Sequence, residues 1–219
     1  MKDQGSLGLY AVLGVSLSFN LSVYIMEINL IFAQGIDGAF GLNNQLPWRC
    51  PSDLAYFKHL TRGHAVVMGK NTWYSLPQQH RPLKDRANIV VSQEMANQRA
   101  RPHLYMQDTE QNHPSKEELI ITRSLEGAIK KATVLGIEKL FVIGGPTLLQ
   151  EALPRCEYIY QTVVDYDGPF DVKAPVIPGK GVFSLVTCIP SCYTFAKSER
   201  DQFGVRFLTW KRNKAVRLV

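Results

Sequence analysis

The sequence predicts an α/β fold with a mostly parallel central β-sheet, an antiparallel C-terminal edge and flanking helices. From residue 26 onward, short apolar segments of strand character alternate with segments whose apolar residues recur at helical spacing. The last apolar segments, near residues 158 to 164, 184 to 187 and 205 to 211, follow one another without a helix between them. With 219 residues and 45% hydrophobic content, the chain can bury one core, and it contains no internal repeat or interdomain linker.

The N-terminal residues differ in pattern from the rest of the chain. Residues 7 to 26 contain no charged side chain and are long enough to span a membrane. However, residues 15 to 23 alternate between apolar and polar, which on a helix would spread polar groups around the whole circumference. A signal peptide also fits poorly, because no small-x-small cleavage site follows. We expect residues 1 to 25 to be an extension, either a leader or a mis-start, that is disordered or at most a weak membrane anchor. Residues 26 to 219 would form the domain.

The first predicted strand comprises residues 27 to 33 and is followed by a loop rich in glycine and asparagine. Pro51 then opens a helix, since proline is tolerated in the first turn, where its missing N–H would have had no partner. Asp53 stands in that first turn, and apolar residues follow it at helical spacing as far as Gly63.

The middle of the chain continues the alternation. Residues 65 to 68 form a second strand, a short helix begins at residue 71 or 72, and residues 89 to 92 form a third strand. The polar run from residue 93 to residue 116 has no clear period, so we expect surface loop there, with one strand near Leu104 as an option.

Ser124 is the expected N-cap of the next helix, which carries its apolar residues on one stripe and ends at Gly136. A strand at residues 140 to 143 follows it and ends in Gly144-Gly145. A short helix then continues to Pro154, before the C-terminal strands.

Charge and composition limit the classes of partner. The formal charge of +6 comes from 25 basic and 19 acidic residues, with much of the excess in the C-terminal tail. No aromatic-interleaved basic stripe accompanies the tail, so a solvated tail is favoured over nucleic-acid binding, and a mildly positive surface suits a dinucleotide phosphate. The four cysteines are too scattered for a disulfide scaffold, and the five histidines form no ligand cluster. We expect a cytoplasmic protein with reduced thiols, no nucleic-acid partner and no metal.

Two features carry candidate chemistry, and each has an ordinary structural alternative. Asp53 is either a helix-capping residue or a lone acid in an apolar cleft, where desolvation would favour its protonated form. Gly144-Gly145 lies between a strand and a helix, where backbone N–H groups can approach a phosphate, and residues 69 to 72 form a second such turn. Either turn alone is a weak signal, because a tight turn explains the glycines equally well.

Taken together, the segments resemble dihydrofolate reductase of the chromosomal bacterial type. The matching blocks are LIFA at residues 30 to 33, LPWRCPSDLAYFK at 46 to 58, VVMGKNTWYSL at 66 to 76, RPLKDRANIVVS at 81 to 92, FVIGG at 141 to 145 and Tyr160-Gln161-Thr162. They occur in the family's order and extend over the chain from Met26. The resemblance implies a single-domain dihydrofolate-reductase-like fold, NADPH as the cofactor, and reduction of 7,8-dihydrofolate to tetrahydrofolate by a monomer.

The resemblance also assigns the substrate site. Asp53 would bind the pterin N3 and 2-amino group, with Thr162 supporting it through water. Arg86 would pair with the α-carboxylate of the glutamate tail, for which a guanidinium fork is suited. The implied walls of the substrate pocket are Ile31, Ala33, Leu46, Leu54, Phe57, Leu76 and Leu83.

For the cofactor, the resemblance implies that the loop before Trp48 closes over the nicotinamide, that Lys70 and the Gly144-Gly145 turn hold the pyrophosphate, and that Ser92 and Gln93 flank the 2′-phosphate. The implied cofactor-binding residues are Ala33, Phe40, Gly41, Asn44, Gln45, Lys70, Asn71, Thr72, Ser92, Gln93, Ile143, Gly144, Gly145, Pro146, Thr147 and Leu148.

The implied reaction is hydride transfer from nicotinamide C4 to pterin C6, coupled to protonation of N5. Water admitted near Leu46 would be the immediate proton donor, because no side chain in this family lies beside N5. Asp53, supported by Thr162, would orient and polarise the pterin, so that the implied catalytic residues are Asp53, Leu46 and Thr162.

The sequence departs from the family's pattern near the cofactor. Leu149 stands where the bacterial family usually has tyrosine, Pro146 replaces the third glycine of the turn, and Gln93 stands where a small hydroxyl residue is common. These departures keep open a catalytically weak folate- or nucleotide-binding protein of the same fold. A pyrimidine reductase of riboflavin synthesis is a second alternative, although that family lacks the LPW-x-x-P-x-D block.

Overall fold

The computed structural model describes residues 26–99, 119–179 and 181–214. The predicted extension at residues 1 to 25 and the optional strand near Leu104 therefore lie outside the described residues. The strands are β1 (Glu27–Gly35), β2 (Ala39–Gly41), β3 (Ala65–Gly69), β4 (Ala87–Val91), β5 (Leu119–Thr122), β6 (Lys139–Gly144), β7 (Tyr158–Val164), β8 (Val172–Lys173), β9 (Phe183–Ile189) and β10 (Val205–Arg212). The helices are α1 (Pro51–Thr61), α2 (Lys70–Ser75), α3 (Gln93–Arg99), α4 (Leu125–Val134) and α5 (Pro146–Ala152), with 3₁₀ turns at Gln78–His80 and Leu153–Arg155.

The main sheet has eight strands in the order β5-β4-β3-β6-β1-β7-β10-β9. Every pairing from β5 to β7 is parallel, whereas β10 pairs antiparallel with both β7 and β9. Strands β2 and β8 form a separate antiparallel pair. This arrangement confirms the predicted α/β class with a mostly parallel sheet and an antiparallel C-terminal edge.

Alternating residues of the strands belong to two apolar clusters, one on each face of the sheet. On one face, Leu30 and Val142 pack with apolar residues of α4 and α5. On the other, Ile31 and Phe141 pack with residues of α1 and α2, including Trp73. Because successive side chains of a strand point to opposite faces, this division is what buried parallel strands produce. Helix α1, which carries Asp53, therefore lies on the second face.

The predicted start and end of α4 are confirmed. The Ser124 hydroxyl accepts a hydrogen bond from the Gly127 N–H at 3.1 Å, which satisfies one of the free donors of the first turn. After the helix, Gly136 adopts a φ of 67°, a left-handed conformation that glycine takes without steric cost.

The prediction of loop from residue 93 onward is wrong for its first part, because Gln93–Arg99 forms α3. The Ser92 hydroxyl accepts a hydrogen bond from the Met95 N–H at 3.2 Å and so acts as a cap for this helix. The prediction also missed β5 and the β2–β8 pair. These strands have four, three and two residues, which is too short for a period to be recognised.

Candidate active site

A cavity of about 660 Å³ opens at the carboxyl ends of β1, β3, β4 and β6, between α1, α2 and α5. In parallel sheets, side chains and backbone N–H groups from several strands converge at this edge. The cavity brings together most of the predicted site residues. Those that line it are Ile31, Ala33, Phe40, Gly41, Asn44, Gln45, Leu46, Asp53, Leu54, Phe57, Lys70, Asn71, Thr72, Leu76, Ile143, Gly145, Pro146, Thr147 and Leu148.

The structure also places residues in the cavity wall that the sequence did not single out. These are Phe32, Ser75, Val91, Glu151 and Val172, whereas Gly69, which also lines the cavity, belongs to the predicted turn at residues 69 to 72. Ser75 and Val91 fall inside the matching blocks, so the blocks alone could have suggested them. Val172 lies in the two-residue strand β8 and carried no comparable signal.

Asp53 is a buried carboxylate in the cavity wall, with a relative exposure of 9%. Burial raises its pKa to about 6, a hydrogen bond with the Thr162 side chain partly opposes this, and the nearby negative charge of Asp201 adds to it. Helix α1 has no side-chain cap on Cys50, and its Ser52 N–H is bound instead by Asp201 at 2.9 Å. Asp53 therefore combines burial, access to the cavity and a shifted pKa, rather than serving only as a helix cap.

Thr162 does not line the cavity and lies behind Asp53. It is 2% exposed and stands in β7, paired in register with Ala33 of β1 and Phe207 of β10. This central position fixes its hydroxyl relative to the carboxyl group of Asp53, with which it shares a side-chain hydrogen bond. The resemblance implied support of Asp53 through water, whereas here the Thr162 hydroxyl lowers the pKa of Asp53 by a side-chain hydrogen bond, and its catalytic role stays a prediction.

The two predicted phosphate turns lie side by side at the cavity. Strands β3 and β6 are neighbours, and a Cβ added at Gly69 would lie 3.6 Å from the backbone N of Gly145. Gly144 has a φ of 142°, and a Cβ there would lie 3.0 Å from the Thr72 hydroxyl. Neither α2 nor α5 has a side-chain cap at its start, so the N–H groups of both first turns, apart from the missing one of Pro146, remain available as donors. These residues fit a dinucleotide pyrophosphate.

The predicted 2′-phosphate residues lie beyond this turn pair and outside the cavity lining. Ser92 caps α3, and Gln93 is the first residue of that helix. The neighbouring Lys70 does line the cavity, and its Nζ forms an ion pair with Glu94 at 2.5 Å. Glu94 was missed in the sequence because nothing local to α3 indicates its contact with the β3–α2 turn.

Arg86 and Leu83, predicted for the far end of the substrate pocket, also lie outside the cavity lining. The Arg86 guanidinium donates to the Lys84 carbonyl at 2.9 Å and to the Thr61 hydroxyl at 3.1 Å, and it lies 5.7 Å from the ring centroid of Phe57, which does line the cavity. Leu83 is buried, and its backbone is held by the Asn88 side chain. Gly144, too, is adjacent to the lining rather than part of it.

Leu149, Pro146 and Trp48 differ in their placement relative to the cavity. Leu149 has no exposed surface, packs in the core cluster with α4 and does not line the cavity. Pro146, in contrast, lines the cavity and occupies the first turn of α5, where it offers no N–H. Trp48, in the segment before α1, is buried, and its indole N–H has no acceptor among the described residues.

The described residues were also compared with the requirements of a metal site, a membrane-spanning helix and a disulfide. Among residues 26–99, 119–179 and 181–214, no group of three or more His, Cys, Asp or Glu side chains is arranged to hold a metal ion. In the same ranges, no helix has the length and apolar character to cross a membrane. All four cysteines are free thiols.

Comparison with known proteins identifies the family. The family model described as dihydrofolate reductase matches residues 27–212. A dihydrofolate reductase of Mycobacterium leprae is 37% identical over 168 residues, which cover 75% of this chain and 90% of the relative. A dihydrofolate reductase of Bacillus subtilis is 29% identical over 188 residues, covering 86% and 96%.

Two further comparisons concern larger relatives and solved structures. The chain matches bifunctional dihydrofolate reductase-thymidylate synthase 2 of Arabidopsis thaliana at 33% identity over 69% of its own length, but this covers only 27% of that protein. A solved dihydrofolate reductase from Enterococcus faecalis, complexed with NADP(H) and RAB-propyl, superimposes with a TM-score of 0.65 and 25% identity, covering 85% of this chain and 96% of that one. With its blocks, its sheet order and its cavity, the chain belongs to the dihydrofolate reductase family.

Proposed function

We propose that this chain reduces 7,8-dihydrofolate to 5,6,7,8-tetrahydrofolate with a hydride from NADPH. The observation that carries the proposal is the buried carboxyl group of Asp53, with a pKa near 6, in a cavity that continues to two adjacent glycine turns. An acid at one end and free backbone donors at the other suit a heterocycle and a dinucleotide bound side by side. Family membership and the NADP(H)-bound relative support the choice of reaction and cofactor.

Asp53 binds and polarises the pterin. Its carboxyl group can accept hydrogen bonds from the N3 and 2-amino edge, and these are strong because the surroundings are poorly solvated. Ile31 and Phe57 line the same cavity as the acid and provide apolar walls for a flat ring. A pKa near 6 leaves Asp53 mostly ionised at neutral pH, so its negative charge favours protonation of the bound ring.

The proton for N5 comes from water that enters beside Leu46. This side chain lines the cavity and is 45% exposed, so it stands between the Asp53 region and solvent. Asp53 then acts electrostatically, because its charge state stabilises the positive charge that develops on the ring. Thr162 fixes the orientation of the acid through their shared hydrogen bond.

When bound, NADPH supplies the hydride. The chain's part would be to hold it: Ala33 and Ile143 would bind the nicotinamide, and the N–H groups of the Gly145 turn, with Thr72 and Lys70, would bind the phosphates. At the other end of the substrate, Arg86 keeps unused N–H donors beyond its two internal hydrogen bonds, and these suit the α-carboxylate of a glutamate tail.

The test is the decay of NADPH absorbance in the presence of dihydrofolate. We expect turnover by the full chain, and a loss of at least about two orders of magnitude near neutral pH for Asp53→Asn. Asp167→Asn, at an exposed loop position, is the matched control and should keep its rate. Rapid turnover by Asp53→Asn would refute the role given to the acid.

One alternative function has a structural observation in its favour. Pro146 removes a donor from the phosphate turn, and Lys70 is engaged by Glu94, so a catalytically weak folate- or nucleotide-binding protein is the second candidate. Such a protein would bind dihydrofolate or NADPH tightly, as measured by fluorescence quenching, and show no turnover.

We also propose that residues 26 to 219 act as one monomeric domain in the cytoplasm, with residues 1 to 25 as an extension. The start of the family match at residue 27 and the free state of all four cysteines support this arrangement. A chain that begins at Met26 should keep full activity and elute as a monomer in size-exclusion chromatography. Loss of activity on this truncation, or elution as a dimer, would contradict the arrangement.

A further inference from the structure

Asp53 and Asp201 are the two buried carboxylates among the described residues, and both lie at the first turn of α1. Asp201 is 4% exposed and belongs to the connection between β9 and β10. A buried carboxylate is costly unless it is hydrogen-bonded, so its presence beside a second one calls for a physical reason.

Asp201 is held by four hydrogen bonds from two serines. Its Oδ1 accepts from the Ser52 N–H at 2.9 Å, and its Oδ2 accepts from the Ser52 hydroxyl at 2.6 Å. Within the β9–β10 connection itself, the Ser198 hydroxyl and N–H donate to Oδ2 at 2.7 Å and 3.1 Å. Since Pro51 has no N–H and Cys50 provides no cap, Asp201 supplies the cap of α1 from 149 residues away in sequence.

The neighbouring residues of the same connection hold the segment just before the helix. The Gln202 N–H donates to the Arg49 carbonyl at 2.9 Å, and the Arg49 N–H donates to the Gln202 side-chain carbonyl at 3.1 Å. The Cys50 thiol contacts the Phe203 carbonyl at 3.7 Å. Every residue from position 49 to Ser52, except the proline, is thus bound to this connection.

We propose that Asp201 is a positioning residue for the reduction: it fixes the first turn of α1 and so places the Asp53 carboxyl group in the cavity. Asp53 follows Ser52 directly, and a shift of that turn would move the acid away from Thr162 and from the substrate. The connection leads into β10, which pairs with the strand of Thr162, so both sides of Asp53 are anchored to the same edge of the sheet. The inference rests on the proposed function for its meaning in catalysis.

The charge of Asp201 adds a second effect. The hydrogen bonds from Ser52 and Ser198 outweigh burial and hold the pKa of Asp201 at about 2, so that it stays ionised at neutral pH. That fixed charge contributes to the raised pKa of Asp53. The other titratable groups facing Asp53 are Cys50 and Tyr56, whose pKa values are raised mainly by burial and which are therefore neutral at this pH. The positive charge of Lys197, which lies in the same β9–β10 connection as Asp201, slightly opposes the rise in the pKa of Cys50.

The test measures the titration of Asp53 in the free protein, by the ¹³C shift of its carboxyl group, assigned with Asp53→Asn. In Asp201→Asn the midpoint should fall by about half a unit, as expected when one poorly screened charge is removed. The acid limb of kcat should move in the same direction, with kcat several-fold lower at pH 7. Ser198→Ala, which keeps both the charge and the contacts with Ser52, is the matched control and should leave the midpoint in place.

Several results would overturn the positioning role of Asp201. A lower stability of Asp201→Asn with an unchanged midpoint and an unchanged shape of the pH profile would overturn the proposal and leave a purely structural cap. If Asp201→Asn does not fold, Asp201→Glu keeps the charge but displaces it, so kcat should fall while the Asp53 midpoint stays close to the parent value. An unchanged kcat in that variant would also overturn it. Because the ¹³C titration needs no turnover, failure of the proposed reaction would be seen separately, in the parent chain.

Discussion

Replacing Asp53 with asparagine should make the folded protein more stable above pH 6, even as it removes activity. Asp53 is 9% exposed, and its pKa rises from 3.8 to about 6 on folding, mainly because burial disfavours the charged form. The folded state therefore binds this proton more tightly than the unfolded chain does. The contribution of protonated Asp53 to the free energy of unfolding is fully present below pH 3.8 and is lost as the pH rises through about 6.

The size of the effect follows from the shift. A change of one pKa unit corresponds to about 1.4 kcal/mol, so the rise from 3.8 to about 6 gives a cost of about 3 kcal/mol at pH 8. Asparagine occupies nearly the same volume and carries no charge at any of these pH values. The difference in unfolding free energy between the variant and the parent should therefore grow by about 2 to 3 kcal/mol between pH 4 and pH 8.

Urea denaturation at a series of pH values, followed by circular dichroism, measures this difference directly. Asp201→Asn is the informative comparison, because the pKa of Asp201 is lowered on folding and its loss should destabilise the protein at neutral pH. Equal pH dependence in the parent and in Asp53→Asn would mean that Asp53 is not held in a poorly solvated site. The reasoning about its catalytic role would then also fail.

Two further predictions concern the cofactor side. Glu94→Gln should strengthen binding of NADPH and of NADH several-fold, because Lys70, placed at the pyrophosphate that both cofactors carry, loses a competing carboxylate 2.5 Å away. Unchanged affinity for both cofactors in fluorescence titrations would contradict this. Leu149→Ala should lower the unfolding free energy by about 3 kcal/mol, since Leu149 is fully buried, yet leave NADPH affinity unaltered, since it does not line the cavity. Urea denaturation and the same fluorescence titration would check both parts.

How much of this site could be predicted from sequence depends on the range of the interactions. Asp53, the Gly144-Gly145 turn and the Ser124 cap are identified by a few adjacent residues, and the structure places each at the expected element end. Their signals are local because helix starts and tight turns depend on neighbouring backbone groups. The short strands β2, β5 and β8 lack such a signal, since they are defined by distant partners.

Asp201 is the clearest case of a residue whose role depends on a partner far away in the sequence. It stands in the run Ser198-Glu199-Arg200-Asp201, which reads as an ordinary polar turn. Its partner Ser52 is 149 residues earlier in the chain, so only the packing of the β9–β10 connection against α1 reveals the cap. Glu94 is similar, because its contact with Lys70 joins the starts of two different helices.

The pKa of Asp53 is set by burial together with its contacts to distant parts of the chain. Burial and the charge of Asp201 both disfavour ionised Asp53, and only the hydrogen bond with Thr162 opposes them, so the balance is a pKa near 6 rather than full ionisation. A fold selected for stability alone would replace Asp53 with a neutral residue of similar size. An acid kept in this cavity, with a second carboxylate fixed beside it by Ser52 and Ser198, suits a site that binds and polarises a heterocycle close to neutral pH.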